Sequence, residues 1–154
     1  LVPPVRYTTN TDRPPPQTLI EDLVALTPSD VLDIGCGTGK VAVEFMKRGM
    51  RVLGVDVDER MTDYAREHGV PVEIASFESW DAKGRQFDLI TCADAWHWID
   101  PARGSENAAA VLRCCGAAVL RNARTFLELL PSRRRRRRTV SACLRRARTP
   151  NNDA

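Results

Sequence analysis

The ten residues Val31–Lys40 carry the pattern in this sequence that is tied most directly to ligand chemistry. They read VLDIGCGTGK, an apolar run that contains Asp33 and continues into alternating glycines, Gly35, Gly37 and Gly39. Glycine has no Cβ, so it adopts positive φ and lets a ligand lie against the backbone. A helix that follows such a loop directs its free N–H groups and the positive end of its dipole at the same point. The pattern predicts a nucleotide-like ligand at the carboxyl end of a buried strand.

Two other glycine motifs compete for the same residues. A phosphate-binding P-loop begins with glycine and ends with Ser or Thr, and Ile34 and Val41 occupy those positions here. The looser dinucleotide fingerprint G-x-G-x-x-A is satisfied by residues 37–42. Asp33 is not explained by a dinucleotide, because its carboxylate would face a pyrophosphate of like charge. A carboxylate at this position suits a ligand that carries an ammonium group.

A second acid, Asp56, ends the apolar run 51–56, which we predict to be the next buried strand. The interval from Asp33 to Asp56 accommodates a crossover helix and a strand, the size of one βαβ unit. An acid at the end of the second strand of a nucleotide-binding α/β fold accepts hydrogen bonds from ribose hydroxyls. We therefore expect the two acids to flank the glycine loop at one edge of a sheet.

These residues resemble the first motif of the class I S-adenosylmethionine-dependent methyltransferases, which is an apolar strand, an acid and then G-x-G-x-G. Three further segments are similar to the type 11 small-molecule group of that family. They are Arg13–Pro16 ahead of a helix, Phe87–Ile90 at the fourth strand and Ala95–Ile99 after it. The resemblance covers residues 12–113 and implies an S-adenosylmethionine-dependent methyltransferase that acts on a small-molecule acceptor.

The resemblance also implies where S-adenosylmethionine would bind. Asp33 would hold its methionine end, Asp56 its ribose, and the residues after the third strand would border its adenine. The cofactor-binding residues implied in this way are Asp33, Gly35, Cys36, Gly37, Thr38, Gly39, Asp56, Val57, Met61, Ser76, Phe77 and Ala93. A place in the core explains Phe77 equally well.

The loop from Asp94 to Asp100 lies where the acceptor is expected. Trp96, His97 and Trp98 are candidate substrate residues, since an imidazole takes up a proton or binds substrate near neutral pH. Packing of both tryptophans against the sheet explains the same residues equally well, so no catalytic residue is assigned. No metal site is expected, because the five cysteines form no C-x-x-C pair and have no histidine at zinc spacing.

Apolar periodicity along the rest of the chain predicts an α/β fold with a doubly wound, mainly parallel, Rossmann-like sheet of about five strands. Residues 1–16 contain five prolines and are expected to form an extended arm. Residues 17–121 are expected to form the S-adenosylmethionine-binding domain. The last predicted strand is Ala117–Leu120, and the antiparallel hairpin that ends the family's sheet is expected to be missing.

The carboxyl-terminal segment has a different charge from the rest of the chain. Residues 1–113 hold 12 Lys and Arg against 18 Asp and Glu, whereas residues 114–154 hold 11 against 2. Six of these basic residues are consecutive, Arg133–Arg138. Residues 122–154 are therefore predicted to be an arginine-rich, poorly ordered tail, and the charge difference indicates a different origin or partner.

The composition of this tail fits three interpretations. The one we favour is a reading-frame change near residue 113, which would replace the family's carboxyl third and impair activity. The second is a tail that binds nucleic acid or another anionic surface through clustered arginines. The third is an amphipathic helix, Arg124–Leu130, that covers the sheet edge.

The composition bears on membrane association and on the alternative functions of the protein. No run approaches the ~20 apolar residues of a membrane span, and no basic region followed by an apolar block begins the chain, so a cytoplasmic protein without a membrane partner is expected. Two alternatives to the active methyltransferase stay open. One is a non-catalytic remnant that still binds the cofactor, and the other is a nicotinamide-dependent oxidoreductase, which is supported only by Gly37, Gly39 and Ala42.

Overall fold

The computed structural model describes residues 17–93, 95–122 and 125–131. The predicted arm, residues 1–16, and the arginine run Arg133–Arg138 lie outside the described residues. The elements within the described ranges are, in chain order, α1 (Gln17–Val24), β1 (Asp30–Ile34), α2 (Lys40–Met46), β2 (Arg51–Asp56), α3 (Glu59–Glu67), β3 (Val72–Ile74), β4 (Phe87–Cys92), a 3-10 helix (Trp96–Trp98), α4 (Pro101–Val111), β5 (Leu112–Asn122) and β6 (Thr125–Pro131).

The six strands form one sheet in the order β3-β2-β1-β4-β5-β6. The first five strands run parallel, so their carboxyl ends meet at one edge of the sheet. The strand order reverses at β1, which lies between β2 and β4, and α/β sheets bind ligands beside such a switch point. The predicted doubly wound, mainly parallel sheet is confirmed.

The two faces of the sheet are covered by different helices. Val31 of β1 packs into a core cluster with Ile20 of α1, Phe45 of α2 and Ala65 of α3. The next residue of the strand, Leu32, packs into a second cluster on the other face, which includes residues of α4. Burial on both faces explains why β1 is a continuous apolar run rather than an alternating one.

The crossover helices start at the carboxyl edge of the sheet because local capping residues begin them there. The Asp58 side chain accepts hydrogen bonds from the N–H groups of Arg60 and Met61 at the start of α3. The Asp100 side chain accepts one from the N–H of Arg103 at the start of α4. None of the helices in the described ranges has the length and apolar character needed to cross a membrane.

The β5 edge of the sheet differs from the sequence prediction. The sequence predicts a last strand over Ala117–Leu120 with no hairpin after it, whereas β5 is longer and β6 pairs with it antiparallel, with Ala118 opposite Leu130. A helix over Arg124–Leu130 is wrong, since residues 125–131 form a strand. The free N–H and C=O groups along β5 give the physical reason, because pairing with β6 satisfies them. The reading-frame change stays a prediction.

Charged side chains tie four strands together at the amino-terminal edge of the sheet. Arg113 of β5 lies 2.8 Å from Asp88 of β4 and 2.9 Å from Asp30 of β1. Arg51 of β2 lies 2.6 Å from Asp30. This network lies at the end of the sheet away from the glycine loop, so it supports the strands without taking part in the candidate site.

Candidate functional site

The glycine loop joins β1 to α2 at the carboxyl edge of the sheet. Gly35, Gly37 and Gly39 have φ of +64°, +54° and +79°, the left-handed region that the sequence pattern predicts. A Cβ at Gly35 would lie 2.1 Å from the Cβ of Ala95, and one at Gly37 would lie 3.0 Å from the Cε of Met61. The loop therefore lies between the segment after β4 and the helix α3, with no room for a side chain at Gly35 and close contact with the end of the Met61 side chain at Gly37.

Asp56 fixes the shape of this loop. Its Oδ2 accepts a hydrogen bond from the N–H of Gly37 at 2.7 Å, and its Oδ1 accepts one from the N–H of Asp58 at 2.9 Å. One carboxylate thus holds both the glycine loop and the start of α3. A carboxylate has about four acceptor positions, so two remain for a ligand. The sequence predicts only the ribose contact, and the contact with the loop is a finding of the structure.

Asp33 is a buried acid on β1, only 2% exposed. The hydroxyl of Thr91 donates a hydrogen bond to its Oδ1 at 2.8 Å. Among the residues that the structure describes, none donates to its Oδ2. Burial raises the pKa of Asp33 to about 7, with a further contribution from the charge of Asp56, against the opposing effect of the Thr91 hydrogen bond. A buried carboxylate oxygen without a donor favours the binding of a cation or a proton.

The raised pKa of Asp33 predicts how stability depends on pH in the protein without ligand. The folded state binds the proton more tightly than the unfolded chain, so this contribution to stability is complete below about pH 4 and is lost as the pH rises towards 7. Between pH 5.5 and 8 the wild-type protein should lose about 2 kcal/mol of unfolding free energy relative to Asp33→Asn. Urea unfolding of both proteins across this range measures the difference. Parallel stability curves for the two proteins would contradict the prediction.

Cys36 and Thr38 alternate with the glycines of the loop. Cys36 is 8% exposed, and a Cβ at Gly54 of β2 would lie 2.6 Å from its Sγ. Burial raises the pKa of the Cys36 thiol, and the charges of Asp33 and Asp56 add to this, so the thiol stays neutral. Cys36 therefore packs the loop onto β2, while Thr38 is half-buried.

An apolar surface lies beside Asp56 at the same edge of the sheet. Val57, directly after β2, is 59% exposed, and Ile74, at the end of β3, is 43% exposed. A shallow pocket of about 360 Å³ is lined by Val57, Asp58, Glu59 and Arg60. The half-buried Met61 follows on α3, with its side chain over Gly37.

Ser76 and Phe77 follow β3, and their side chains lie in different environments. The Ser76 hydroxyl is exposed and donates a hydrogen bond to the Glu78 side chain. Phe77 is 4% exposed, and its ring stacks on Trp80 at 6.1 Å between centroids. The side chain of Phe77 thus lies in the core cluster that includes residues of α4, and not beside the glycine loop. The core position considered for Phe77 in the sequence analysis describes its side chain correctly.

Two side chains tie this segment to the start of α4. The Asn107 side-chain amide donates to the carbonyl of Phe77 at 2.8 Å and to that of Glu78 at 3.1 Å. The Glu78 carboxylate accepts a hydrogen bond from the N–H of Asp100 at 2.9 Å. The residues after β3 and the end of the predicted acceptor loop therefore form one connected surface.

The predicted acceptor loop contains both packed and exposed residues. Ala93, directly after β4, is half-buried, whereas Asp94 lies outside the described residues. Trp96 packs against the core and approaches Gly104, where a Cβ would lie 3.0 Å from its ring. His97 is exposed, Trp98 is 63% exposed, and their ring centroids are 4.7 Å apart.

The structure brings Asp33, the glycine loop and Asp56 together at the switch point, with Val57 and Met61 beside them. It does not bring the side chain of Phe77 to this crevice. Sequence reasoning missed Thr91, Gly54 and Asn107. The signal for Thr91 was a polar residue inside an apolar strand, and the signal for Gly54 was a glycine inside a strand. Within the described ranges, no group of three or more His, Cys, Asp and Glu side chains is arranged to hold a metal ion.

Comparison with known proteins finds similarity to methyltransferases. A family model described as a methyltransferase domain matches residues 31–116, more than half of the chain. An uncharacterized methyltransferase of Mycobacterium tuberculosis is 36% identical over 101 residues, which are 64% of this chain and 41% of that protein. The ubiquinone biosynthesis O-methyltransferase of Coxiella burnetii is 31% identical over 119 residues, 70% of this chain and 51% of that protein.

Solved structures are similar in fold. A TehB-like SAM-dependent methyltransferase of Corynebacterium glutamicum superposes with a TM-score of 0.60 at 26% identity, covering 66% of this chain and 59% of that one. An amino pentose methyltransferase of Micromonospora echinaspora with bound SAM gives a TM-score of 0.60 at 25% identity, covering 68% of this chain and 48% of that one. This chain spans about half the length of the relatives it matches. Because the family match begins at β1 and includes every part of the crevice, fold and sequence agree, and the chain belongs to the methyltransferase domain family.

Proposed function

We propose that this chain carries the cofactor site of an S-adenosylmethionine-dependent methyltransferase that acts on a small-molecule acceptor. The observation that carries the proposal is the buried carboxylate of Asp33. Thr91 holds one of its oxygens, and no described residue donates to the other. S-adenosylmethionine carries an ammonium group and a sulfonium, and a buried carboxylate binds such a cation in preference to an anion.

The rest of the crevice fits the same ligand. The glycine loop has no Cβ at Gly35, Gly37 and Gly39, so the backbone can be approached closely. Asp56 has acceptor capacity left for the ribose hydroxyls after it has bound the loop. The exposed apolar side chains of Val57 and Ile74 would border the adenine ring. Each part of the cofactor thus has a complementary group.

Methyl transfer requires the protein mainly to position the methyl donor and the acceptor. When bound, S-adenosylmethionine supplies a methyl group on sulfur that is transferred to a nucleophile by in-line displacement. Asp33 holds the methionine end of the donor and Asp56 its ribose, and the connected surface formed by Glu78, Asn107 and Asp100 keeps the adjoining loops in place. Holding donor and acceptor in a near-attack geometry supplies much of the rate enhancement of such reactions.

The acceptor is proposed to bind beside the 3-10 helix that follows β4. His97 and Trp98 are exposed there, while Trp96 serves as the packing residue that fixes the segment to α4. Relatives named for ubiquinone biosynthesis and for an amino pentose support a small-molecule acceptor. His97 could bind the acceptor or accept its proton.

Calorimetric titration of the purified chain with S-adenosylmethionine, S-adenosylhomocysteine and NAD tests the proposal. We expect both sulfur ligands to bind, and NAD to bind at least about tenfold more weakly, since its pyrophosphate would face Asp33. NAD binding of equal strength would favour the oxidoreductase instead. Binding of the sulfur ligands without methyl transfer to a panel of small acceptors would favour the non-catalytic remnant.

A further inference from the structure

We infer that Thr91 is a positioning residue for the cofactor, because its hydroxyl donates a hydrogen bond to one oxygen of Asp33 and so favours the charged carboxylate, which presents its other oxygen to the cofactor's ammonium group. This inference rests on the proposed function. It adds a residue within β4 to a cofactor site for which the sequence analysis names, at that strand, only Ala93, directly after it.

The geometry places Thr91 directly beside Asp33. The two residues are register partners on the adjacent parallel strands β1 and β4. Thr91 is 4% exposed and Asp33 is 2% exposed, so water does not compete for their contact. The Thr91 Oγ1 lies 2.8 Å from Asp33 Oδ1 and 3.5 Å from the carbonyl oxygen of Leu32. The single hydroxyl hydrogen therefore goes to the carboxylate, the closer and stronger acceptor.

The residue type is informative because of its surroundings. The strand reads FDLITC, and the positions on either side of Thr91, Ile90 and Cys92, are buried in the core. Valine has the same shape as threonine and would fill this position without burying a hydroxyl, which is unfavourable unless the hydroxyl forms a hydrogen bond. The hydroxyl is thus explained by its bond to Asp33.

The charges around Asp33 define what the hydrogen bond does. Among the described residues, the ionisable groups that face it are the Asp56 carboxyl, from the end of β2, and the Cys36 thiol, from the glycine loop. Burial and Asp56 raise the pKa of Asp33, and the hydrogen bond from Thr91 opposes them. Without the hydroxyl, a larger fraction of Asp33 would be protonated at neutral pH and could not attract a cation.

The test compares Thr91→Val, which removes the hydroxyl, with Thr91→Ser, which keeps it. S-adenosylhomocysteine is titrated into each protein and into the wild type from pH 6 to 8.5. We expect Thr91→Val to bind about 5- to 15-fold more weakly than the wild type at pH 7 and within about twofold at pH 8.5, where at least about half of Asp33 is ionised in the variant. Thr91→Ser should follow the wild-type profile. If Thr91→Val does not fold, Thr91→Ala replaces it, since that variant differs from Thr91→Ser by the hydroxyl alone.

A second readout needs no ligand. The carbon-13 resonance of the Asp33 carboxyl, followed over pH in the free protein, should titrate at higher pH in Thr91→Val than in the wild type. The inference would be overturned if Thr91→Val bound S-adenosylhomocysteine more weakly by the same factor at every pH and the Asp33 titration were unchanged. Thr91 would then be a structural residue. An unchanged affinity would overturn the inference as well. If the wild-type protein does not bind S-adenosylhomocysteine, the proposed function fails first, and the inference fails with it.

Discussion

Gly35→Ala is expected to lower the free energy of unfolding by about 2 to 5 kcal/mol and to remove measurable cofactor binding. Two effects add at this position. An alanine in the left-handed region at φ +64° is strained, and its Cβ would lie 2.1 Å from the Cβ of Ala95. Relief of that contact requires the glycine loop or the segment after β4 to move, and both border the crevice. Urea unfolding and calorimetry with S-adenosylhomocysteine measure the two consequences.

Gly49→Ala is the matched control for this prediction. Gly49 also has positive φ, +83°, but among the described residues other than its own chain neighbours, no atom lies within 4 Å of the position of its Cβ. Its replacement should therefore cost only the backbone strain, about 1 to 2 kcal/mol, and leave cofactor affinity unchanged. Equal losses of stability for the two variants, with cofactor binding intact in both, would mean that Ala95 does not confine the loop.

Asp56→Ala should weaken cofactor binding by about 100-fold. The variant removes the expected acceptor for the ribose hydroxyls, and it also frees the N–H groups of Gly37 and Asp58, so the loop loses its shape. The same loss should lower the free energy of unfolding by about 2 kcal/mol. Calorimetry and urea unfolding report the two effects separately.

Asp81→Ala is the control for loss of an acid that caps a backbone turn. The Asp81 carboxylate accepts a hydrogen bond from the N–H of Lys83 at 2.8 Å, as that of Asp56 does from Asp58, but it lies in the loop between β3 and β4. This variant should bind the cofactor like the wild type. An Asp56→Ala protein with the affinity of the Asp81→Ala protein would show that the ribose does not lie at Asp56.

The parts of the site that could be predicted from sequence are those set by local rules. Glycines at alternate positions require positive φ, and they have it at Gly35, Gly37 and Gly39. An acid at the end of each of the first two strands must lie at the carboxyl edge, because parallel strands end at one edge. Asp33 and Asp56 therefore lie beside the loop as their spacing predicts.

The contacts that could not be predicted depend on which strands become neighbours. Thr91 meets Asp33 only because β4 pairs with β1 in one particular register. Ala95 confines Gly35 through a loop 60 residues later in the chain. For Phe77 the position in the sequence was misleading. It follows β3, which suggests a place in the crevice, but its side chain packs in the core. Residues 125–131 pair as β6 because β5 offers an edge, which no local pattern records.

A crystal structure of the protein with S-adenosylhomocysteine tests the central claim most directly. We predict that the ligand lies across the carboxyl ends of β1 and β2, with its amino group within hydrogen-bond distance of Oδ2 of Asp33 and its ribose hydroxyls on Asp56. Its adenine should contact Val57 and Ile74. A ligand bound elsewhere, or one that turns a carboxylate or the adenine towards Asp33, would contradict the account.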